Sequence, residues 1–432
     1  MSKVSPRGAA VHSISDVLNG RSLAAVLPSH LASVDSGQRP LVMELVYSTL
    51  REWPLLEGIS RQLLRKPLRK KDADVHALVL LGLQQLRGTR IAHHAAVSET
   101  VAVCRELRKN WATGLVNGVL RTYQRQTAEL IDNLSPAEKA ALPEWMYQQL
   151  AKEWPHHLTK IAAASSSRPP MSLRINTRLC SPEEYKQRLH AEGIAFSADG
   201  LSNTAVTLAR PIDVESVPGF TAGQISVQDV SAQLAAILLD AKPGETVLDA
   251  CAAPGGKSCH IAERQPELKT LIAADIDAKR LEKVIANRDR LGLGFDCIAM
   301  DAAHPGDELG VGRFDAIVAD VPCSATGVLR RNPDIKIHRG KTDIRHFAQQ
   351  QTDITHGLWP LLKPGGRLLY VTCSILRAEN DAQVEAFLEH HEDAAVEPFD
   401  TEVGIATEYG QQVLPAAEGG DGLYFSLIRR AL

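Results

Sequence analysis

Residues 246 to 258 read Thr-Val-Leu-Asp-Ala-Cys-Ala-Ala-Pro-Gly-Gly-Lys-Ser, and this stretch limits what the chain can fold into more than any other. Thr246, Val247 and Leu248 form a short run rich in apolar and β-branched residues, which predicts a strand ending at Asp249. Pro254, Gly255 and Gly256 predict a turn, and a helical pattern starts near Lys257 with Ile261 and Ala262 on its apolar side. Glycines let a ligand lie against the backbone, and the free N–H groups of a helix start face it. A phosphate-binding loop, G-x-x-x-x-G-K-[ST], is excluded, because its first glycine would fall on Cys251. The dinucleotide fingerprint G-x-G-x-x-G is absent too. A shorter glycine turn that takes an adenosine cofactor remains, beside the plain alternative of an ordinary strand-to-helix turn.

The residues downstream separate these two. Leu271 to Ala274 form a second apolar run that ends in Asp275, where a cofactor ribose can be gripped through its hydroxyls. Cys297 to Met300 lead to Asp301, and Ala316 to Ala319 lead to Asp320. Four predicted strands thus end in an aspartate. One such aspartate is ordinary turn chemistry, but a series spaced for alternating strands and helices marks the carboxyl edge of an open α/β sheet, where ligands bind. The pattern suits an S-adenosylmethionine-dependent methyltransferase.

A length of 432 residues predicts two or three domains. No apolar run approaches membrane-spanning length and the start lacks an apolar signal region, so a cytoplasmic protein is expected. The seven cysteines, Cys104, Cys180, Cys251, Cys259, Cys297, Cys323 and Cys373, are too scattered for a disulfide framework, and none forms the C-x-x-C pair of a zinc site; no metal is expected. The net charge of −3 conceals an asymmetry. Residues 1–130 hold 18 Lys/Arg and 10 Asp/Glu, whereas the other 302 hold 30 and 41, which suggests a basic accessory module beside an acidic catalytic one.

Residues 1 to about 130 read as all-helical. Val75, Leu78, Val79, Leu81, Gly82 and Leu86 predict a helix buried nearly all round. Arg65, Lys66, Arg69, Lys70 and Lys71 form one basic cluster and Arg105, Arg108 and Lys109 another; each reads either as a solvated face or as a contact with nucleic-acid phosphates, with no stacking aromatics interleaved. Ser135-Pro136-Ala137-Glu138 is a capping box that opens a helix carrying Leu142, Trp145, Met146, Leu150 and Trp154. Ser165 to Pro170 read as a linker. A strand-like run at 171–176, a second capping box at Ser181–Glu184 and a strand at Val206–Leu208 predict a small α/β module. Ser226 to Asp229 lead into a helix. Beyond Asp301, a helix over 343–362, a strand over 367–372, a helix over 380–389 and a last, antiparallel strand at Tyr424–Ile428 complete the chain.

Cys323 follows the fourth predicted strand of the α/β unit and Cys373 the fifth. Carbon 5 of cytosine explains why a methyltransferase would want a thiol there. That carbon is a poor nucleophile until a thiolate adds at carbon 6 and makes it enamine-like. Cysteine is the least demanding side chain to activate for such an attack. Asp320 stands where it can hydrogen-bond the base or the amino group of the cofactor. The spacing does not choose between the two thiols.

Asp-Ala-Cys-Ala-Ala-Pro-Gly-Gly-Lys at 249–257, Asp-Val-Pro-Cys-Ser-Ala-Thr-Gly at 320–327 and Thr-Cys-Ser at 372–374 closely resemble the RNA 5-methylcytosine methyltransferases of the Sun (Fmu) family. Gly327 to Lys336 and Gly420 to Tyr424 are similar as well, and Ala95, Glu99, Thr100 and Leu115 to Arg121 resemble a NusB-like RNA-binding domain. The resemblance implies three modules: an all-α NusB-like domain over 1–134, a helical linker with a small α/β module over 135–224, and a Rossmann-like methyltransferase domain over 225–432. It implies methylation of carbon 5 of one cytosine in 16S rRNA, with S-adenosylmethionine as cofactor. It makes Cys373 the nucleophile and Cys323 the thiol that assists breakdown of the adduct. Cys251, Ala252, Ala253, Pro254, Gly255, Gly256, Lys257, Asp275, Asp301 and Asp320 are the implied cofactor contacts. A monomer is the default expectation.

Overall fold

The computed structural model describes residues 4–88, 92–198, 202–400 and 403–432. They divide into two compact units: Met1–Arg168 with Leu329–Gly340, and Pro169–Val328 with Lys341–Leu432. Among the described residues, no helix is long and apolar enough to cross a membrane.

The first unit is helical, and none of its described residues lies in a strand. Ala73–Gly88 runs through its centre with every residue from Ala77 to Leu86 buried. The helices Pro6–Leu18, Leu23–Ala32, Arg39–Arg51, Trp53–Leu63, His93–Glu106 and Thr113–Asp132 supply most of the rest of one core, with Ile14, Leu45, Leu56 and Leu120 fully enclosed. Both sides of the Ser135 capping box form. The helix it opens ends at Lys139, however, and a separate one spans Glu144–Glu153. Pro143 lacks an N–H and disfavours helical backbone at Leu142, so the single helix expected here is two. Ser165 and Ser166, expected in a linker, are the last turn of Leu158–Ser166.

The segment Leu329–Gly340 belongs to this helical unit. Arg51 donates from Nε to the Arg330 carbonyl at 2.8 Å, and the backbone N–H of Leu23 donates to Asp334 at 3.0 Å. Lys336 is buried, and its ammonium donates to the carbonyls of Arg51 (2.6 Å) and Ala141 (2.9 Å) and to Ser165 Oγ (3.3 Å). Burial, with no carboxylate bonded to it among the described residues, pushes this amine down to about 7.

The second unit holds two sheets. The smaller has antiparallel strands β1 (Met171–Ile175), β2 (Phe196–Ala198), β3 (Ala205–Leu208) and β4 (Ile225–Val227) in the order β2-β3-β1-β4. Strand β4 occupies residues expected to lead straight into a helix; that helix, Val230–Leu239, starts after Asp229, whose carboxylate accepts from the Ser231 N–H.

The larger sheet contains β5 (Thr246–Asp249), β6 (Thr270–Asp275), β7 (Asp296–Ala299), β8 (Phe314–Asp320), β9 (Leu362–Thr372), β10 (Ala394–Glu397), β11 (Ile405–Ala406), β12 (Gln411–Val413) and β13 (Leu423–Arg430). Its order is β11-β12-β13-β9-β8-β5-β6-β7, with β10 also on β13. Strands β5 to β9 are parallel. The antiparallel strand expected at Tyr424–Ile428 is β13 on β9, but it is not alone, because β10, β11 and β12 extend the antiparallel edge. These additions are two to four residues long, too short to show a period.

Alternation along the parallel strands feeds two cores. Val247, Ala273, Val318 and Leu369 face one, and Leu248, Ile272, Ile317 and Leu368 the other. Helix Val230–Leu239 covers the first with Leu234 and Leu238, while helices Lys341–Leu358 and Asp381–His390 cover the second with Ile354, Leu358, Val384 and Phe387. The chain runs from β5 outward through β6 and β7, then returns to place β8 on the other side of β5. That reversal falls between β5 and β8, and open α/β sheets bind ligands outside the carboxyl ends of the strands at such a point.

Candidate active site

The turn after β5 is built around Gly255, whose φ of +98° is left-handed backbone that a side chain resists. A Cβ there would also stand 3.0 Å from the Val284 Cα. The helix Gly256–Arg264 starts directly behind it. The carbonyls of the turn are held from outside: Arg280 donates to Ala253 O at 3.1 Å, Asn287 to Pro254 O at 3.0 Å, and Arg174 to Gly256 O at 2.8 Å. Arg174 is 1 % exposed and forms a two-pronged pair with Glu263, both contacts at 2.8 Å. The linear pattern carries no signal for Arg174, which lies on β1 and is 82 residues from the carbonyl it holds.

Three of the expected aspartates sit at strand ends: Asp249 on β5, Asp275 on β6 and Asp320 on β8. Asp249 is fully buried, and burial pushes its carboxyl up to about 6 against the Ser258 hydroxyl that donates to it. Its other oxygen has no hydrogen-bond partner among the described residues. Asp275 accepts from the N–H groups of Ala253 and Asp277, both at 3.1 Å, and lies 3.5 Å from Arg280. Ile276, next in the chain, is 66 % exposed, an apolar surface beside the acid. Asp320 pairs with Lys257 at 2.5 Å. Burial opposes the charge on Lys257, but Asp320 and then Asp249 outweigh it and hold the ammonium above its ordinary value. Asp301 lies two residues beyond β7, is half exposed, and accepts from the Ala303 N–H at 3.0 Å; no hydrogen bond ties its side chain to the other three aspartates among the described residues.

The two cysteines meet. Cys323 follows β8 and Cys373 follows β9, and their sulfurs are 3.2 Å apart. Cys323 is buried and Cys373 half-buried. The hydrogen bond with Cys373, then burial, raises the Cys323 thiol well above its ordinary value, and the charge of Glu379 adds to this. Cys251 lies in the turn itself, where burial holds its thiol above the ordinary range. Among the described residues, no group of three or more His, Cys, Asp or Glu side chains is placed to hold a metal ion.

The two basic clusters of the helical unit also come together. Lys109 donates to the Lys71 carbonyl at 3.2 Å and to Asp72 at 2.8 Å. Arg65, Lys66, Lys70, Lys71, Arg105 and Arg108 are exposed or half-exposed around this junction. Trp111 lies outside the clusters, two residues past Lys109, and is 55 % exposed, so it supplies an aromatic face.

Three families match by sequence: "NusB family" over residues 4–125, "Methyltr_RsmF/B-like, ferredoxin-like domain" over 142–215, and "16S rRNA methyltransferase RsmB/F" over 236–429. The chain is 43% identical to "Ribosomal RNA small subunit methyltransferase B" of Pseudomonas syringae pv. tomato, across 98% of this chain and 96% of that one. A protein of the same description from Erwinia tasmaniensis is 42% identical over 95% of each. Among solved structures, a methyltransferase homolog protein from Pyrococcus horikoshii superposes with a TM-score of 0.60 at 28% identity, over 69% of this chain and 100% of that one.

Proposed function

The chain belongs to the RsmB/F family of 16S rRNA methyltransferases, and we propose that it transfers a methyl group to carbon 5 of a cytosine in 16S rRNA through a covalent bond between Cys373 and the base. S-adenosylmethionine is the cofactor. The site's residues suit it: a glycine turn before a helix start, an unpaired buried oxygen on Asp249 among the described residues, and Asp275 at the neighbouring strand end. In this reading Cys251 to Lys257 line the cofactor, Asp275 takes the ribose hydroxyls, and Asp301 and Asp320 complete the contacts. The cofactor, when bound, supplies an electrophilic methyl group.

The observation that carries the reading is the pair of thiols 3.2 Å apart at the ends of adjacent strands, on the same sheet edge as the glycine turn. Cys373 Sγ adds to carbon 6, which gives carbon 5 the electron density to take the methyl. Loss of the carbon 5 proton then restores the double bond as the carbon–sulfur bond breaks and the thiolate leaves. Two features favour Cys373 over Cys323 as the attacker. Cys373 is the more accessible thiol, and the hydrogen bond with Cys373 and burial raise the Cys323 thiol well above its ordinary value, which makes Cys323 the harder of the two to turn into a thiolate nucleophile.

The RNA partner is also part of the proposal. The joined basic face of the helical unit, with Trp111 beside it, has the charge to meet phosphates and a ring on which a base can stack. The three matched families fall inside the three modules 1–134, 135–224 and 225–432, which supports that division. Incubation with tritiated S-adenosylmethionine and an unmodified 16S transcript, followed by nucleoside analysis, tests the reading. Label in 5-methylcytidine is expected; label in another nucleoside, or none at any salt concentration, overturns it.

A further inference from the structure

The thiols stand on two loops joined by a backbone bond, from the Gly327 N–H to the Cys373 carbonyl at 2.9 Å, and a buried side chain ties the same loops a second time. Glu379 lies in a 3₁₀ turn six residues after Cys373 and is fully buried. One carboxylate oxygen accepts from the Ser324 N–H at 2.7 Å and from Gln351 at 3.4 Å. The other accepts from the hydroxyls of Ser324, at 2.5 Å, and Ser374, at 2.6 Å. Ser324 directly follows Cys323, and Ser374 directly follows Cys373. Gln351 in turn donates to the Pro322 carbonyl at 2.9 Å, just ahead of Cys323. Thr326 closes the circle: its hydroxyl is 3.1 Å from that of Ser374 and accepts from the Ile375 N–H at 3.1 Å. Tyr370, on β9, donates to the Glu379 carbonyl at 2.7 Å and holds the turn against the sheet.

We propose that Glu379 is the positioning residue of the two-thiol centre: by accepting from Ser324 and Ser374 together, its carboxylate fixes the loops after β8 and β9 against each other and so presents Cys323 and Cys373 side by side. A buried carboxylate is costly to hold, and among the described residues no cationic side chain forms an ion pair with Glu379. Burial raises its carboxyl above the ordinary range, with the serine donors opposing. Two of the three residues that donate to the carboxylate, Ser324 and Ser374, directly follow the cysteines. Glutamine suits the same place. Its oxygen can accept from the Ser324 N–H and Gln351, and its amide can donate to the two hydroxyls, which accept as readily as they donate.

The inference rests on the proposed role of the thiols in methyl transfer, and one of its two readouts is independent of that role. The full chain, without RNA, is treated with the thiol oxidant diamide, and the Cys323–Cys373 disulfide is followed by peptide mapping; the two thiols give up two electrons and two protons, and diamide becomes the hydrazine. Glu379→Ala is expected to slow this coupling at least tenfold and Glu379→Gln to stay within about threefold of the parent. In the second readout, methyl transfer to a 16S transcript, Glu379→Ala is expected to lower kcat by about a hundredfold with KM for RNA and cofactor little changed, since a misplacement of about 1 Å costs that much, and Glu379→Gln is expected to recover most of it. If Glu379→Ala does not fold, Ser374→Ala, which removes one of the tied hydroxyls, is expected to slow the coupling severalfold. Coupling at the parental rate in folded Glu379→Ala, or in Ser374→Ala where that variant stands in, overturns the inference; so does a Glu379→Gln as impaired as Glu379→Ala. A parent chain that couples its thiols but makes no 5-methylcytidine refutes the proposed function and leaves the positioning result standing.

Discussion

Asp275 has two duties that one substitution removes together. It holds the glycine turn through the Ala253 N–H, and in the proposed reading it grips the cofactor ribose. Asp275→Ala is expected to weaken S-adenosylmethionine by about 1.5–3 kcal/mol, the worth of a hydrogen bond to a charged group, or roughly ten- to a hundredfold. Calorimetry showing unchanged affinity in a folded variant would refute the assignment. Asp249, Asp275 and Asp320 were legible in the sequence because a strand end is marked by the apolar run before it. Arg174 and Glu379 were not. Their partners are set by the packing of separate elements, and a buried Arg or Glu looks like a surface one in a linear string.

At the scale of elements, the turn after β5 makes the sharpest demand. Gly255→Ala puts a side chain on left-handed backbone, worth about 1–2 kcal/mol, and drives its Cβ toward Val284. A lower melting temperature together with weaker cofactor binding is expected; an unchanged melt would contradict this role for the turn. The segment Leu329–Gly340 makes a different prediction through Lys336. Its folded value of about 7 lies below the ordinary 10.5 of a lysine. Between those values the unfolded chain holds a proton that the folded chain does not, so stability rises with pH through this window and is lost as pH falls toward 7. The stability of the parent relative to Lys336→Met is therefore expected to grow by up to about 1.4 kcal/mol per pH unit. Unfolding of both proteins in urea at pH 7.5 and 9 measures this, and parallel pH profiles would contradict it. The sequence marked this segment as a motif but not where it packs, since its neighbours in the chain belong to the other unit. Nor did it show β10 to β12, whose few residues carry no alternation, or the break at Pro143.

For the whole molecule, charge asymmetry was the visible clue, and the structure turns it into a surface. Exchanging Lys70, Lys71, Arg105 and Arg108 for alanine together is expected to weaken RNA binding and to flatten its salt dependence. Each cation that no longer neutralises a phosphate reduces the slope of log affinity against log salt by roughly 0.7–0.9. Equal slopes for parent and variant, measured by filter binding from low to moderate salt, would assign this face to solvation alone. Trp111→Ala is expected to cost about 1–3 kcal/mol if a base stacks there. The helical character of residues 1–130 and the parallel sheet were legible because both rest on long periodic segments. The meeting of the two basic clusters was not, since it depends on Lys109 reaching back to Lys71 and Asp72.

In the proposed mechanism Cys373 attacks the base and Cys323 helps release it. Denaturing electrophoresis of the chain after incubation with S-adenosylmethionine and 16S transcript tests this most directly. Cys323→Ala should accumulate a covalent protein–RNA band, because attack still occurs but the thiolate leaves poorly. Cys373→Ala should form none, and the double variant should match it. A band that builds up in Cys373→Ala and vanishes in Cys323→Ala would reverse the two roles and contradict the claim.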